Sequence, residues 1–145
     1  MTRILTYMDT QVQSSTKLKK QGLGMIIGLT IQYLLGMITN IFVKFPENQQ
    51  SDQLWEFARK QIPVVLHSII GLLLLIGSLA LLIQAIRYKN KRWTSTASIA
   101  LIGVIAAGVG GAIFIPTQNN IYSFIMAVGF LVPLLAYIWG IYSSK

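Results

Sequence analysis

The sequence predicts an all-α integral membrane protein: a bundle of four transmembrane helices, both termini cytoplasmic, with a short amphipathic helix in the first outer loop. Three observations predict it. Of the 145 residues, 54% are hydrophobic and the mean hydropathy is +0.62, which leaves too little polar surface to cover a water-soluble globule. Apolar runs long enough to cross a hydrocarbon core of about 30 Å recur along the chain. The twelve basic residues, which give a net charge of +8, gather at the ends of those runs, where a bilayer tolerates charge. Four spans consume most of the chain, so residues 1–145 read as one membrane domain.

Residues 1–20 form a cytoplasmic segment. Its first sixteen, MTRILTYMDTQVQSST, hold no uninterrupted apolar run and suit a short interfacial helix or a loose end. Lys17, Lys19 and Lys20 then precede the first span, 23–43, which is too long for a signal peptide and lacks a small-residue cleavage site. The outer loop, 44–61, balances Lys44, Arg59 and Lys60 against Glu47, Asp52 and Glu56, so it carries no positive excess. Within it Ser51 is placed to cap a helix whose Leu54, Phe57, Ala58 and Ile62 share one apolar face beside Trp55, lying along the outer membrane surface.

The second span, 62–86, ends in RYKNKR, whose Arg87, Lys89, Lys91 and Arg92 have no acid among them. That hairpin belongs inside. The third span, 95–115, passes through the polar turn PTQNN into the fourth, 122–142, and the last residue is Lys145. Trp93, Tyr122, Trp139 and Tyr142 fall near span ends, where amphipathic rings favour the headgroup layer. The expected location is a bacterial plasma membrane, crossed several times.

Small residues are the main readable packing signal inside lipid. Gly24 and Gly28 lie four apart in the first span, Gly103, Ala107 and Gly111 repeat every four in the third, and Ala136 and Gly140 do so in the fourth. Tight bundle packing is the leading reading and a ligand pressed against bare backbone the other, and the third-helix set is also a candidate face for a homodimer. Pro133 is expected to kink the fourth helix and free the carbonyl of Gly129.

Two polar faces point inward. Gln32, Gly36, Thr39 and Asn40 lie at i, i+4, i+7 and i+8 of the first span, and His67, Gly71 and Ser78 at i, i+4 and i+11 of the second. The first set suits interhelical hydrogen bonding or, with Gly71 and Ser78, the lining of a ligand pocket. His67 is the sole histidine; at this depth an imidazole is a hydrogen-bonding residue, a proton-responsive group or an axial ligand to heme iron.

Several function classes find no residues. Cysteine is absent, which removes disulfides, thiolate metal sites and cysteine nucleophiles. The four acids, Asp9, Glu47, Asp52 and Glu56, all lie outside the spans, so a cation-coupled transporter lacks its usual carboxylate. No HExxH, Walker loop or nucleophile elbow occurs, so an enzyme would have little to work with. No soluble segment carries a basic stripe interleaved with aromatics, so the basic residues are expected to meet anionic lipid headgroups and not nucleic acid.

The segments QYLLGMITNIFVKFP, LHSIIGLLLLIGSLALLIQAIRYKNKR and AAGVGGAIFIP resemble one four-helix half of heme A synthase, with the similarity running from about Gln32 to Trp139. The resemblance implies a four-helix bundle with a pocket near the outer face and a heme-type histidine early in the second helix, matched here by His67. Family halves also place a histidine on the fourth helix. The corresponding stretch, IYSFIMAVGF, has none, and Met126 is the candidate second axial ligand, with apolar packing as its other role. The family's glutamate, one turn before the second-helix histidine, is replaced by Val64, so oxidation of a heme methyl group is not implied for this chain.

The expected function is therefore a noncatalytic membrane protein that holds a hydrophobic ligand, heme among the candidates, or a partner in its bundle. An accessory subunit of a larger membrane complex is the alternative, and a small transporter or channel is less favoured because the spans lack charge.

Overall fold

The computed structural model describes residues 2–46 and 49–143, with side chains described from Gln13 onward. Glu47 and the Asp9 and Lys145 side chains lie outside the described residues. Five helices account for nearly all of the described residues: α1 (Thr2–Phe42), α2 (Ser51–Lys60), α3 (Ile62–Arg87), α4 (Lys91–Thr117) and α5 (Asn120–Tyr142). Four of them are long and apolar enough to cross a membrane: Gln13–Phe42 within α1, Ile62–Arg87, Lys91–Thr117 and Asn120–Tyr142.

The long helices run up and down in turn. They form a ring in which α1 packs on α3 and α5, and α4 packs on α3 and α5, so that α1 faces α4 and α3 faces α5 across the ring. The connections are shorter than the charge pattern suggests. Asn90 caps α4, its Oδ1 accepting from the Trp93 N–H at 3.2 Å, after a turn in which Lys89 takes a left-handed φ of 53°. Asn119 caps α5 by accepting from the Ile121 N–H at 3.0 Å, after Gln118 with a φ of 50°. Side-chain oxygens that satisfy first-turn amides let each helix start immediately after its turn.

Three expectations change. Residues 2–16 are neither a separate helix nor loose: α1 is one continuous helix of 41 residues, as suits a stretch with no glycine or proline before Gly22. Within it Ser14 and Leu18 are buried, which gives the helix a packed face before the apolar span begins. The cap of α2 is Gln50 and not Ser51; the Gln50 N–H donates to Gln53 Oε1 at 3.2 Å. Trp93 is not a headgroup-layer ring. It is fully buried with 0% exposure, because the turn ends at Asn90 and places position 93 on the inward face of α4. Trp139 and Tyr142 do lie outward, at 54% and 78% exposure.

The amphipathic helix α2 covers the end of the ring where α3 begins and α4 ends. Leu54 and Ala58 are buried there, and Phe45 bridges Phe57 and Phe114 at centroid distances of 5.5 and 6.2 Å. Ile62 is the first residue of α3 and is exposed, so it does not extend the α2 face.

At the opposite end the core gathers Leu18, Leu29, Leu74, Leu81, Trp93 and Tyr137 from all four long helices. Between α4 and α5 the backbones touch. A Cβ on Gly129 would lie 2.6 Å from the Ala107 nitrogen and 2.8 Å from the Gly103 oxygen, an approach open only to glycine. This packing uses the Gly103, Ala107 and Gly111 face inside the chain, so that face is not free for a second copy. Gly24 and Gly108 instead have nothing within 4 Å of where a Cβ would stand.

Candidate functional site

The polar faces read from the sequence meet where α1 crosses α3. Each helix contributes one polar side chain and, one turn later, one glycine. Gln32 Nε2 donates to the His67 carbonyl at 2.9 Å, and it reaches that oxygen over Gly71, where a Cβ would stand 3.1 Å from the amide nitrogen. In return the His67 imidazole lies on Gly36, where a Cβ would stand 3.2 Å from Cε1 and 3.6 Å from Nδ1. The arrangement is reciprocal. Because the helices run antiparallel, the i, i+4 pairs Gln32/Gly36 and His67/Gly71 interlock, each side chain filling the space left by the other helix's glycine.

Two polar atoms in this seam are buried with no hydrogen-bond partner among the described residues: Gln32 Oε1 and His67 Nδ1. The amide oxygen can only accept, whereas the ring nitrogen donates or accepts according to tautomer. A buried polar atom left without a partner costs about 1–3 kcal/mol, so a seam with two of them suits a bound group that supplies hydrogen bonds. Tyr33, one residue after Gln32, stacks on Phe130 of α5 with centroids 5.3 Å apart.

The remaining expected site residues lie elsewhere. Thr39 turns its hydroxyl to its own helix, donating to the Leu35 carbonyl at 2.9 Å, and Asn40 is exposed. Ser78 belongs to a different contact: it accepts from the Tyr137 hydroxyl at 3.1 Å, eleven residues and about 16 Å along α3 from His67. Met126 packs between α4 and α5, its sulfur 3.1 Å from where a Cβ on Gly111 would stand. His67 thus lies in the α1–α3 seam and Met126 in the α4–α5 seam. Among the described residues no three His, Asp or Glu side chains gather in a metal-ligating group.

A second group of polar residues escaped the sequence reading. Gln21 Nε2 donates to Gln84 Oε1 at 2.9 Å between α1 and α3, and Trp93 and Thr96 of α4 are fully buried beside them in the core. Gln21, Gln84 and Trp93 each stand within three residues of a lysine or arginine, so by sequence they look like span boundaries. Comparison with family models, curated proteins and solved structures found no match to this chain.

Proposed function

We propose that this chain is a noncatalytic, multi-pass membrane protein that holds an apolar ligand with a hydrogen-bonding head, or an equivalent group of a partner, at the α1–α3 seam. One observation carries this reading: Gln32 Oε1 and His67 Nδ1 are both buried and unpartnered among the described residues, in the one seam where His67 packs on Gly36 and Gln32 on Gly71. The exposed apolar side chains around it, Val65, Leu66 and Ile69 on α3 and Met37 on α1, give such a ligand a lipid-like approach. In this reading both termini and the basic 87–92 hairpin are cytoplasmic, following the inside-positive pattern, and the basic end rests on anionic headgroups.

Heme is the specific version suggested by the resemblance to heme A synthase. His67 would be the residue to hold it, and Met126 could not join His67 in doing so, since those two side chains occupy different seams. A bound heme would supply iron-centred ligand exchange or electron transfer; the chain's own part is to present the imidazole and exclude water.

The test is extraction of small molecules from protein purified in mild detergent, wild type against Gln32→Leu and His67→Ala, read by mass spectrometry, together with the absorption spectrum after heme addition. Retention of one apolar compound that both variants lose is expected. Identical extracts from all three proteins, with no Soret band that depends on His67, would sink the reading.

A second reading, an accessory subunit of a larger complex, is favoured by Gly24 and Gly108. Both are helix-interior glycines facing outward with open space around them, and small residues on a lipid-facing surface admit a neighbouring helix. A stoichiometric partner retained in mild detergent, and lost on Gly24→Leu or Gly108→Leu, distinguishes it.

A further inference from the structure

Helix α1 divides lengthwise into two faces. Ser14, Leu18, Gly22 and Leu29, spaced at whole helical turns, are buried and form the face that packs on the bundle. On the other face Gln13, Thr16, Lys17 and Lys20 stand at i, i+3, i+4 and i+7, all of them exposed. These four residues line one open groove of about 330 Å³. The groove therefore carries two ammonium groups and no carboxylate among its described walls. Neither lysine takes part in an ion pair among the described residues, where the one such pair joins Lys60 to Glu56 on α2. Like charges one turn apart on a helix repel, and an anion seated between them relieves that repulsion.

One turn further into the span the same face becomes apolar. Gly24 and Ile27 follow Lys20 by four and seven residues, so they continue its line along the helix, about 10 Å from Lys20 to Ile27. Leu23 and Ile27 are 53% and 54% exposed. Gly24, between them, has nothing within 4 Å of where a Cβ would stand, which leaves a notch in the side-chain surface. An inorganic anion fills the groove and leaves the notch bare, and an uncharged lipid does the reverse. An amphiphile with an anionic head fits both.

We propose that this outward face of α1 binds a single anionic phospholipid, its phosphate held between Lys17 and Lys20 and an acyl chain laid over Gly24 between Leu23 and Ile27. The site is distinct from the general attraction of the basic end to headgroups. Arg87, Lys89, Lys91 and Arg92 raise the local concentration of any anionic lipid, whereas the groove and the notch hold one lipid in one position. It lies on the face of α1 turned away from the bundle and does not depend on the ligand proposed for the α1–α3 seam.

Native mass spectrometry of the full chain in detergent, with phosphatidylglycerol or phosphatidylcholine of identical acyl chains added, tests this. One phosphatidylglycerol per chain is expected, retained roughly fivefold or more over phosphatidylcholine. Lys17→Gln combined with Lys20→Gln should cut that retention by about threefold or more, whereas Lys89→Gln combined with Lys91→Gln, an equal loss of charge at the turn, should leave it nearly unchanged. Excess inorganic phosphate should not displace the lipid. A folded wild-type chain without preference for phosphatidylglycerol overturns the proposal and needs no variant. Equal losses in the two double variants overturn the site in favour of general attraction, and displacement by inorganic phosphate overturns the lipid as occupant. A polypeptide retained in place of the lipid, and released by the Lys17 and Lys20 substitutions, overturns it as well.

Discussion

Tyr137 donates its phenolic hydroxyl to Ser78 Oγ at 3.1 Å, joining α5 to α3 across the ring with both side chains at 0% exposure. The two partners are not equivalent. Ser78→Ala strands a buried phenol that has no backbone carbonyl of its own within reach and should cost about 1–3 kcal/mol. Tyr137→Phe leaves a serine hydroxyl free to turn to the carbonyl four residues earlier in α3 and should cost about 0.5–1 kcal/mol. Unfolding in mixed micelles measures both, and the double variant should lose less than the sum of the two.

Backbone contact between α4 and α5 makes Gly129 the least replaceable glycine. Its Cβ would meet the Ala107 nitrogen and the Gly103 oxygen, at 2.6 and 2.8 Å, and backbone cannot rotate away as a side chain does. Gly129→Ala should abolish the folded bundle or cost about 3 kcal/mol or more, whereas Gly24→Ala, with open space around it, should be neutral or slightly stabilising. Thermal aggregation profiles of the two variants, compared in one detergent, give the ranking.

At the α1–α3 seam, Gly36→Ala and Gly71→Ala press on the His67 ring and the Gln32 amide at 3.2 and 3.1 Å. These neighbours are side chains and yield by a few tenths of an ångström. Each variant should lose about 1–2 kcal/mol while remaining folded, and Gly36→Ala should change the His67 ring chemical shifts more than Gly71→Ala does. Equal and negligible shift changes would contradict the observed nesting.

On α2, Lys60 Nζ stands 2.6 Å from Glu56 Oε1. The hydrogen bond and the positive charge hold the Glu56 carboxyl below its ordinary 4.5. A lowered folded-state value means that the pair favours the folded helix above pH 4.5 and that this contribution fades as pH falls through the lowered value. Both groups are well exposed, so the effect on stability is small. Lys60→Met should return the Glu56 titration midpoint, followed by carboxyl-carbon resonance, to the ordinary range.

The helices were legible because hydropathy, charge placement and turn chemistry agree; α3 starts at the expected Ile62 and α5 ends at the expected Tyr142. Two i, i+4 faces, Gln32/Gly36 and His67/Gly71, were legible as well. Their pairing was not, since nothing in either run states the antiparallel register that sets one against the other. The polar layer of Gln21, Gln84, Trp93 and Thr96 was hidden for a different reason. Each of its members lies close to basic residues, and a tryptophan after an arginine has the same local signature whether its ring turns to headgroups or to the core. Thr39 and Ser78 show a further limit: Thr39 bonds its own helix at Leu35 and Ser78 bonds Tyr137 of α5, and periodicity does not decide whether a hydroxyl turns to its own backbone or to a neighbour.

The interlocked seam also acts as a ward against sliding. If α1 moved along α3 by one turn, about 5.4 Å, in one direction, Gln32 would arrive opposite His67 and two bulky side chains would collide. In the other direction Gly36 would arrive opposite Gly71, opening a void between bare backbones. Sliding of α1 along α3 is therefore opposed in both directions by the same four residues, by collision one way and by lost packing the other.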